Sequence, residues 1–173
     1  MRIGLSFDTK PREAALPAGA PDDLFEEYDP EETVAAIESA IWECGHDVVR
    51  LGGGREFLQK ILKERLDFVF NIAEGSGHYR SREAQVPSVL EMMDIPYSGS
   101  DPQCLAVCLD KPLTKKVVAL AGVRTPDYRV FSGPGQVSEA KGRTRVGPGR
   151  ATLSSTDPGC RLGPGHHCTR EPR

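Results

Sequence analysis

Three short apolar runs alternate with helical stretches in the first 73 residues, and that order restricts the fold more than any other feature of the sequence. The runs are RIGLSF (2–7), HDVVRL (46–51) and DFVFNIA (67–73). Their length and their β-branched and aromatic content predict strands. Between the first two, Asp29 is placed to cap a helix, with Pro30 at its first position and Glu32 three residues after the cap. Val34, Ile37 and Ile41 mark one face of that helix and Gly45 is its stop. REFLQKILKERL (55–66) predicts a second helix before the third strand. The order β-α-β-α-β implies an α/β fold, a parallel sheet with right-handed crossovers and helices on both faces. A long acidic loop with Pro and Gly, from about Thr9 to Tyr28, follows the first strand.

The third strand runs into NIAEGSGHYRSREAQVP (71–87), which carries two glycines, a His, two Arg and two Glu, more chemistry than a turn requires. In a parallel sheet such a loop lies at the carboxyl ends of the strands, where ligands gather. Val86, Val89, Leu90 and Met93 then recur at helical spacing, and Pro87 requires that helix to begin just before it. IPYSGS (95–100) predicts a short fourth strand with its turn. DPQCLAVCL and DKPLTKKVVALAG each open on Asp with Pro close behind, the second ending at Gly122, and VRTPDYRVF (123–131) predicts a further strand.

Charge and composition break together after Phe131. Residues 1–131 hold 15 Lys and Arg against 22 Asp and Glu (15 − 22 = −7), whereas residues 132–173 hold 7 against 3 (7 − 3 = +4). Those last 42 residues contain eight Gly and five Pro but only four large apolar residues, Val137, Val146, Leu153 and Leu162. Pro and Gly at this level, above about 25–30%, mark a segment whose burial cannot offset the entropy of ordering it. A disordered tail is expected, and from about Arg143 the Gly-Pro-Arg-Ser-rich text reads like a GC-rich gene translated in the wrong frame.

Several classes of function are excluded or weakened. No stretch approaches the roughly 18 apolar residues of a membrane helix, and MRIGLSFDTK is too short and too quickly polar for a secretory signal, so no membrane partner and a cytoplasmic location are expected. The five cysteines, Cys44, Cys104, Cys108, Cys160 and Cys168, form no disulfide framework, and the first three fit the pattern of small core hydrophobes. Cys160, His166, His167 and Cys168 lack paired zinc-ligand spacing, so no metal site is expected. The tail's positive charge comes without aromatic residues beyond His166 and His167 to stack on bases, which argues against nucleic acid. LGGGR (51–55) lacks the spacing of a dinucleotide fingerprint or a P-loop and reads as a plain turn.

The ordered series EEYDPEETVAAI, FNIAEG, REAQVPSVLEMMDIPYSGSDP and LDKPLTKKVVALAGVRTP resembles the amino-terminal part of ATP-grasp ligases related to D-alanine–D-alanine ligase, over about residues 1–131. The resemblance implies a Rossmann-like, three-layer pre-ATP-grasp domain at residues 1–121, an incomplete start of the ATP-grasp domain at 122–142, and a low-complexity, non-native or frameshifted tail at 143–173. It implies ATP and Mg2+ as cofactors of the full-length family, in which an amino acid is activated as an acyl phosphate and then joined to an amine.

The same resemblance implies a substrate wall made of Glu74, Gly75, Arg82 and Glu83, with Glu27 or Glu26 holding the substrate amine and Lys111 at the nucleotide. Related ligases typically have His-Gly where this chain has Glu74-Gly75, and a Gly-Glu-Asp-Gly stretch at Arg82-Glu83, so the substrate is a small amino acid or relative that need not be D-alanine. A carboxylate at Glu74 suits an ammonium and Arg82 suits a carboxylate or phosphate; a plain mutual pairing of the two is the competing reading. Lys111 beside a helix amino terminus is electrostatically unfavourable unless an anion shares the site, whereas Lys115 and Lys116 are expected to be solvated. No catalytic residue is assigned. The phosphate-binding lysine, adenine slot and magnesium ligands of the family belong to later domains, so this chain by itself is expected to bind neither cofactor and to be an inactive, truncated ligase fragment. The exposed sheet edge and apolar surface predict self-association, with a homodimer as the simplest form. The alternative is a non-catalytic small-molecule-binding or dimerisation module of Rossmann-like fold.

Overall fold

A computed structural model describes residues 1–10, 26–77 and 79–131. Its elements follow the order β1 (Arg2–Ser6), α1 (Glu31–Glu43), β2 (Asp47–Arg50), α2 (Gly54–Ile61), β3 (Phe68–Asn71), a 3-10 turn (Arg82–Ala84), α3 (Gln85–Met92), α4 (Pro102–Leu109) and α5 (Lys111–Leu120). The three strands form one parallel sheet in the order β2-β1-β3. The fold is α/β, as the alternating pattern implies.

Side-chain alternation divides the sheet into two faces. Gly4 pairs with Val49 on one side and Val69 on the other, so these three share a face. Val69 packs there with Leu51, with Phe57 and Ile61 of α2, and with Val86 and Leu90 of α3. Ile3 and Leu5 point to the opposite face, and both are buried, as is Val34 of α1. The helix α1 packs against β2, and Arg50 of β2 lies between Glu31 (2.6 Å) and Glu38 (3.0 Å) of that helix. Two helix layers therefore enclose the sheet.

The strand order creates a crevice. From β1 the chain crosses to β2 on one side, and then returns over β1 to β3 on the other. Where successive crossovers leave in opposite directions, the helices diverge and the carboxyl ends of the strands open between them. Here that place is the gap between the ends of β1 and β3.

Helix ends follow local chemistry. Asp101 accepts from the Cys104 amide at 2.7 Å and Asp110 from the Leu113 amide at 3.1 Å, each with Pro in the first turn of the helix it caps. The helix α1 departs from expectation: it begins after Pro30 with no side-chain cap. Asp29 is instead drawn into a bridge with Thr9, its amide donating to the Asp8 carbonyl and its carbonyl accepting from Lys10, each at 3.1 Å.

Other elements are shorter than the sequence suggests. The helix α2 stops at Ile61 rather than Leu66. IPYSGS contributes one bridge, Val69 with Tyr97, and no strand. Pro96 has no amide to donate, so only its carbonyl (2.8 Å) and the Ser98 amide (2.9 Å) reach Val69. Residues 123–131 form no continuous strand among the described residues, only a single bridge position at Tyr128. Lys115, expected to be solvated, holds this segment against α5: its Nζ donates to Thr125 Oγ1 (2.7 Å) and the Pro126 carbonyl (3.1 Å) and stands 5.2 Å from the Tyr128 ring centre. Cys44, Cys104 and Cys108 are exposed free thiols rather than core residues, because Cys104 and Cys108 fall on the outward face of α4 and Cys44 lies just past the end of α1. No described helix is long and apolar enough to cross a membrane. The expectations for most of the Thr9–Tyr28 loop, for residues 132–173 and for Cys160, His166, His167 and Cys168 lie outside the described residues.

Candidate functional site

The loop after β3 is fastened at four points, and these set the shape of the crevice. At its root the Asn71 amide donates to Ser98 Oγ (2.8 Å) and the Ile72 amide to the Ser6 carbonyl (2.9 Å). The buried Ser6 hydroxyl donates to Asn71 Oδ1 at 2.7 Å. Next, the Gly75 amide donates to Asp8 Oδ2 at 3.0 Å, tying the loop to the chain leaving β1. Ser76 and Gln85 then exchange two hydrogen bonds, of 2.9 and 3.0 Å, that lock the loop to the start of α3. Finally, Arg80 forms an ion pair with the buried carboxylate of Asp110, at the joint between α4 and α5. Local propensity shows none of these ties, since each joins residues that meet only once the chain has folded.

The result is an open cleft of about 300 Å3 beyond the end of β3. Asn71 to Glu74 form one wall, Ser98 to Ser100 another, and Asp29, Glu83 and Leu105 complete it. Gly75 has φ +82°, and a Cβ there would stand 2.1 Å from the Arg82 carbonyl oxygen. The loop can fold back onto the 3-10 turn only because residue 75 has no side chain.

Acidic groups dominate the electrostatics. Arg82 Nη2 meets Glu27 at 2.5 Å and Glu74 at 3.8 Å, and its side chain is only 18% exposed. One guanidinium thus serves both Glu27 and Glu74, while Glu83 and Asp29 add negative charge around Glu74. Burial, then the neighbouring charges of Glu83 and Glu27, push the Glu74 carboxyl above its ordinary 4.5, against the opposing pull of Arg82. A cleft that disfavours its own carboxylate favours an incoming cation, because an ammonium would relieve both the desolvation and the like-charge repulsion.

Of the residues singled out in the sequence, the structure brings together Glu27, Glu74, Gly75, Arg82 and Glu83. Between the two candidates ahead of α1, Glu27 reaches Arg82 while Glu26 faces outward, 3.5 Å from Lys10. Lys111 does not line the cleft. Its Nζ donates to the Cys108 carbonyl at 3.0 Å, so the carboxyl end of α4, rather than an external anion, compensates the cation at the start of α5. Asp8 and Asp29 were missed in the sequence. The only available signal was their position, one just after a strand and the other just before a helix, and many structural acids share it. Among the described residues no group of three His, Cys, Asp or Glu side chains is placed to hold a metal ion.

No family model matches the chain. It is 38% identical over 105 residues to D-alanine–D-alanine ligase of Aquifex aeolicus, covering 61% of this chain and 35% of that one. It is 34% identical over 97 residues to the enzyme of the same name from Carboxydothermus hydrogenoformans, covering 56% and 30%. Among solved structures, D-alanine–D-alanine ligase of Bacillus anthracis aligns over 75% of this chain and 38% of its own, with 23% identity and a TM-score of 0.47. The chain spans about a third of the length of the curated relatives it matches. Over 56–61% of its own length, then, this chain is similar to D-alanine–D-alanine ligases.

Proposed function

We propose that residues 1–121 are the pre-ATP-grasp domain of an ATP-dependent carboxylate–amine ligase, with the start of an ATP-grasp domain at 122–142, and that the cleft beyond β3 is the wall against which the first amino acid is held. The observation that carries this reading is Glu74: a carboxylate at the switch point of the sheet, raised in pKa by burial and by acidic neighbours. An α-ammonium group placed there lowers the pKa of Glu74 and replaces the repulsion among Glu74, Glu83 and Glu27 with attraction. Arg82 keeps the Glu74 and Glu27 carboxylates apart and is the cation available to the substrate carboxylate if Glu27 releases it.

Phosphoryl transfer needs cations and metal around the phosphates, since positioning and charge neutralisation do most of the work. The described residues offer Lys111 for the nucleotide, on release from the Cys108 carbonyl, and no cluster of metal-binding side chains. On this reading the domain orients an amino acid, while ATP and Mg2+ are held elsewhere in the ligase architecture, and the chain of 173 residues does not turn over by itself.

Calorimetric titration of the chain with D- and L-amino acids tests the first half. Binding that requires a free ammonium and is lost in Glu74→Gln supports it; equal binding of N-acetylated amino acids overturns it. Phosphate release with ATP, Mg2+ and the same amino acids tests the second. Amino-acid-dependent turnover that disappears in Lys111→Ala shows the domain to be sufficient for the chemistry and refutes the fragment reading.

A further inference from the structure

Away from this cleft, α4 and α5 enclose an apolar groove of about 320 Å3 whose lining includes Cys104, Cys108, Val107 and Val117. The two thiols are exposed, one helical turn apart, with their sulfurs 3.9 Å from each other. We propose that Cys104 and Cys108 form a two-thiolate site for a soft divalent metal ion.

The thiols share an S–H···S contact at 3.9 Å, and that distance suits a bridging metal better than a disulfide. A disulfide brings sulfurs to about 2.05 Å and Cβ atoms to about 3.5–4.5 Å. Residues four apart on a helix hold their Cβ atoms about 5–6 Å apart, so oxidation requires α4 to unwind. A single metal atom between two sulfurs, with bonds of about 2.3 Å and a tetrahedral angle, spans about 3.8 Å. That separation is present without movement.

The pair is also held in place. Asp101 Oδ1 accepts from the Cys104 amide at 2.7 Å, and Lys111 Nζ donates to the Cys108 carbonyl at 3.0 Å. Both ends of α4 are thereby fixed, and a site on a capped helix keeps its geometry better than one on a loop. Binding is a proton exchange without redox change: one metal dication and two thiols give a dithiolate complex and two protons, with solvent completing the coordination. Thiolate donors select soft ions over magnesium or calcium.

The test is titration of the reduced full chain with Cd2+, following the ultraviolet charge-transfer band of the cadmium–thiolate bond. One equivalent should bind to the native chain, to Cys44→Ser and to the double variant Cys160→Ser/Cys168→Ser. Either Cys104→Ser or Cys108→Ser should abolish the band while leaving the circular dichroism spectrum unchanged, since both side chains are exposed. A band that survives both single variants, or that vanishes with Cys160 and Cys168, overturns the assignment. Rapid formation of a Cys104–Cys108 disulfide with oxidised glutathione, read by peptide mass, equally overturns it, because the helix would then not hold the sulfurs apart.

Discussion

Gly45 and Gly75 share the same backbone torsion, φ +82°, but not the same surroundings, so together they measure what the contact beneath the site loop is worth. Around Gly45 an added Cβ meets nothing within 4 Å, while at Gly75 it lies 2.1 Å from the Arg82 carbonyl oxygen and 2.6 Å from its carbon. An L-residue in the left-handed region costs about 1–2 kcal/mol, and the stiffer unfolded chain returns about 0.4–1 kcal/mol. Gly45→Ala should therefore lose roughly 1 kcal/mol. Gly75→Ala carries the same loss and a clash with backbone that no rotamer change relieves, adding about 1–3 kcal/mol of displacement. If the shift also breaks the Gly75 amide bond to Asp8, the charge-assisted contact adds about 1.5–3 kcal/mol. The expected gap between the variants is about 1–3 kcal/mol if the Asp8 bond survives and about 2.5–6 kcal/mol if it breaks. Urea unfolding followed by circular dichroism, with both variants and the native chain at one temperature, reads it directly. Losses within about 0.5 kcal/mol of each other would refute the close packing of residues 75 and 82, and with it the shape assigned to the cleft.

Three further outcomes are expected. Asp110→Ala removes both the cap of α5 and the partner of Arg80 and should cost about 2 kcal/mol in urea unfolding, against about 1 kcal/mol for the exposed cap Asp101→Ala; equal costs would mean that the Arg80 tie contributes nothing. Because the Glu74 carboxyl titrates above 4.5 in the folded chain, protonation favours folding, and its contribution is lost as pH rises from about 4.5 through the folded value. Glu74→Gln should accordingly gain on the native chain in melting temperature as pH rises from 4 to about 7, and a gain that shrinks would reverse the sign of the argument. Lys115→Met should free residues 123–131 from α5, visible as faster amide hydrogen exchange there, whereas unchanged exchange would show that the lysine is incidental to their path.

The order of elements, their parallel pairing and several of their ends are legible in local pattern. Apolar runs of strand length separated by helical stretches leave few other arrangements, and Asp101-Pro102, Asp110 and Gly45 act within a single turn of chain. The sequence also carried the resemblance that drew attention to Glu74, Gly75, Arg82 and Glu83. Local pattern failed where a partner decides. IPYSGS has strand composition, yet with Pro96 lacking an amide it makes one bridge to Val69. Residues 123–131 look extended, yet they carry only a single bridge position, at Tyr128, and Lys115 ties Thr125 and Pro126 to α5. Cys104 and Cys108 have core-like identity but face outward, since helical phase relative to the core depends on how each helix docks. Tertiary structure alone chose Glu27 over Glu26, turned Lys111 back onto α4, and added Asp8 and Asp29 to the site. Apart from Lys111, which bonds only three residues back, these outcomes depend on side chains meeting across tens of residues of sequence, which the strand order β2-β1-β3 brings to one end of the sheet.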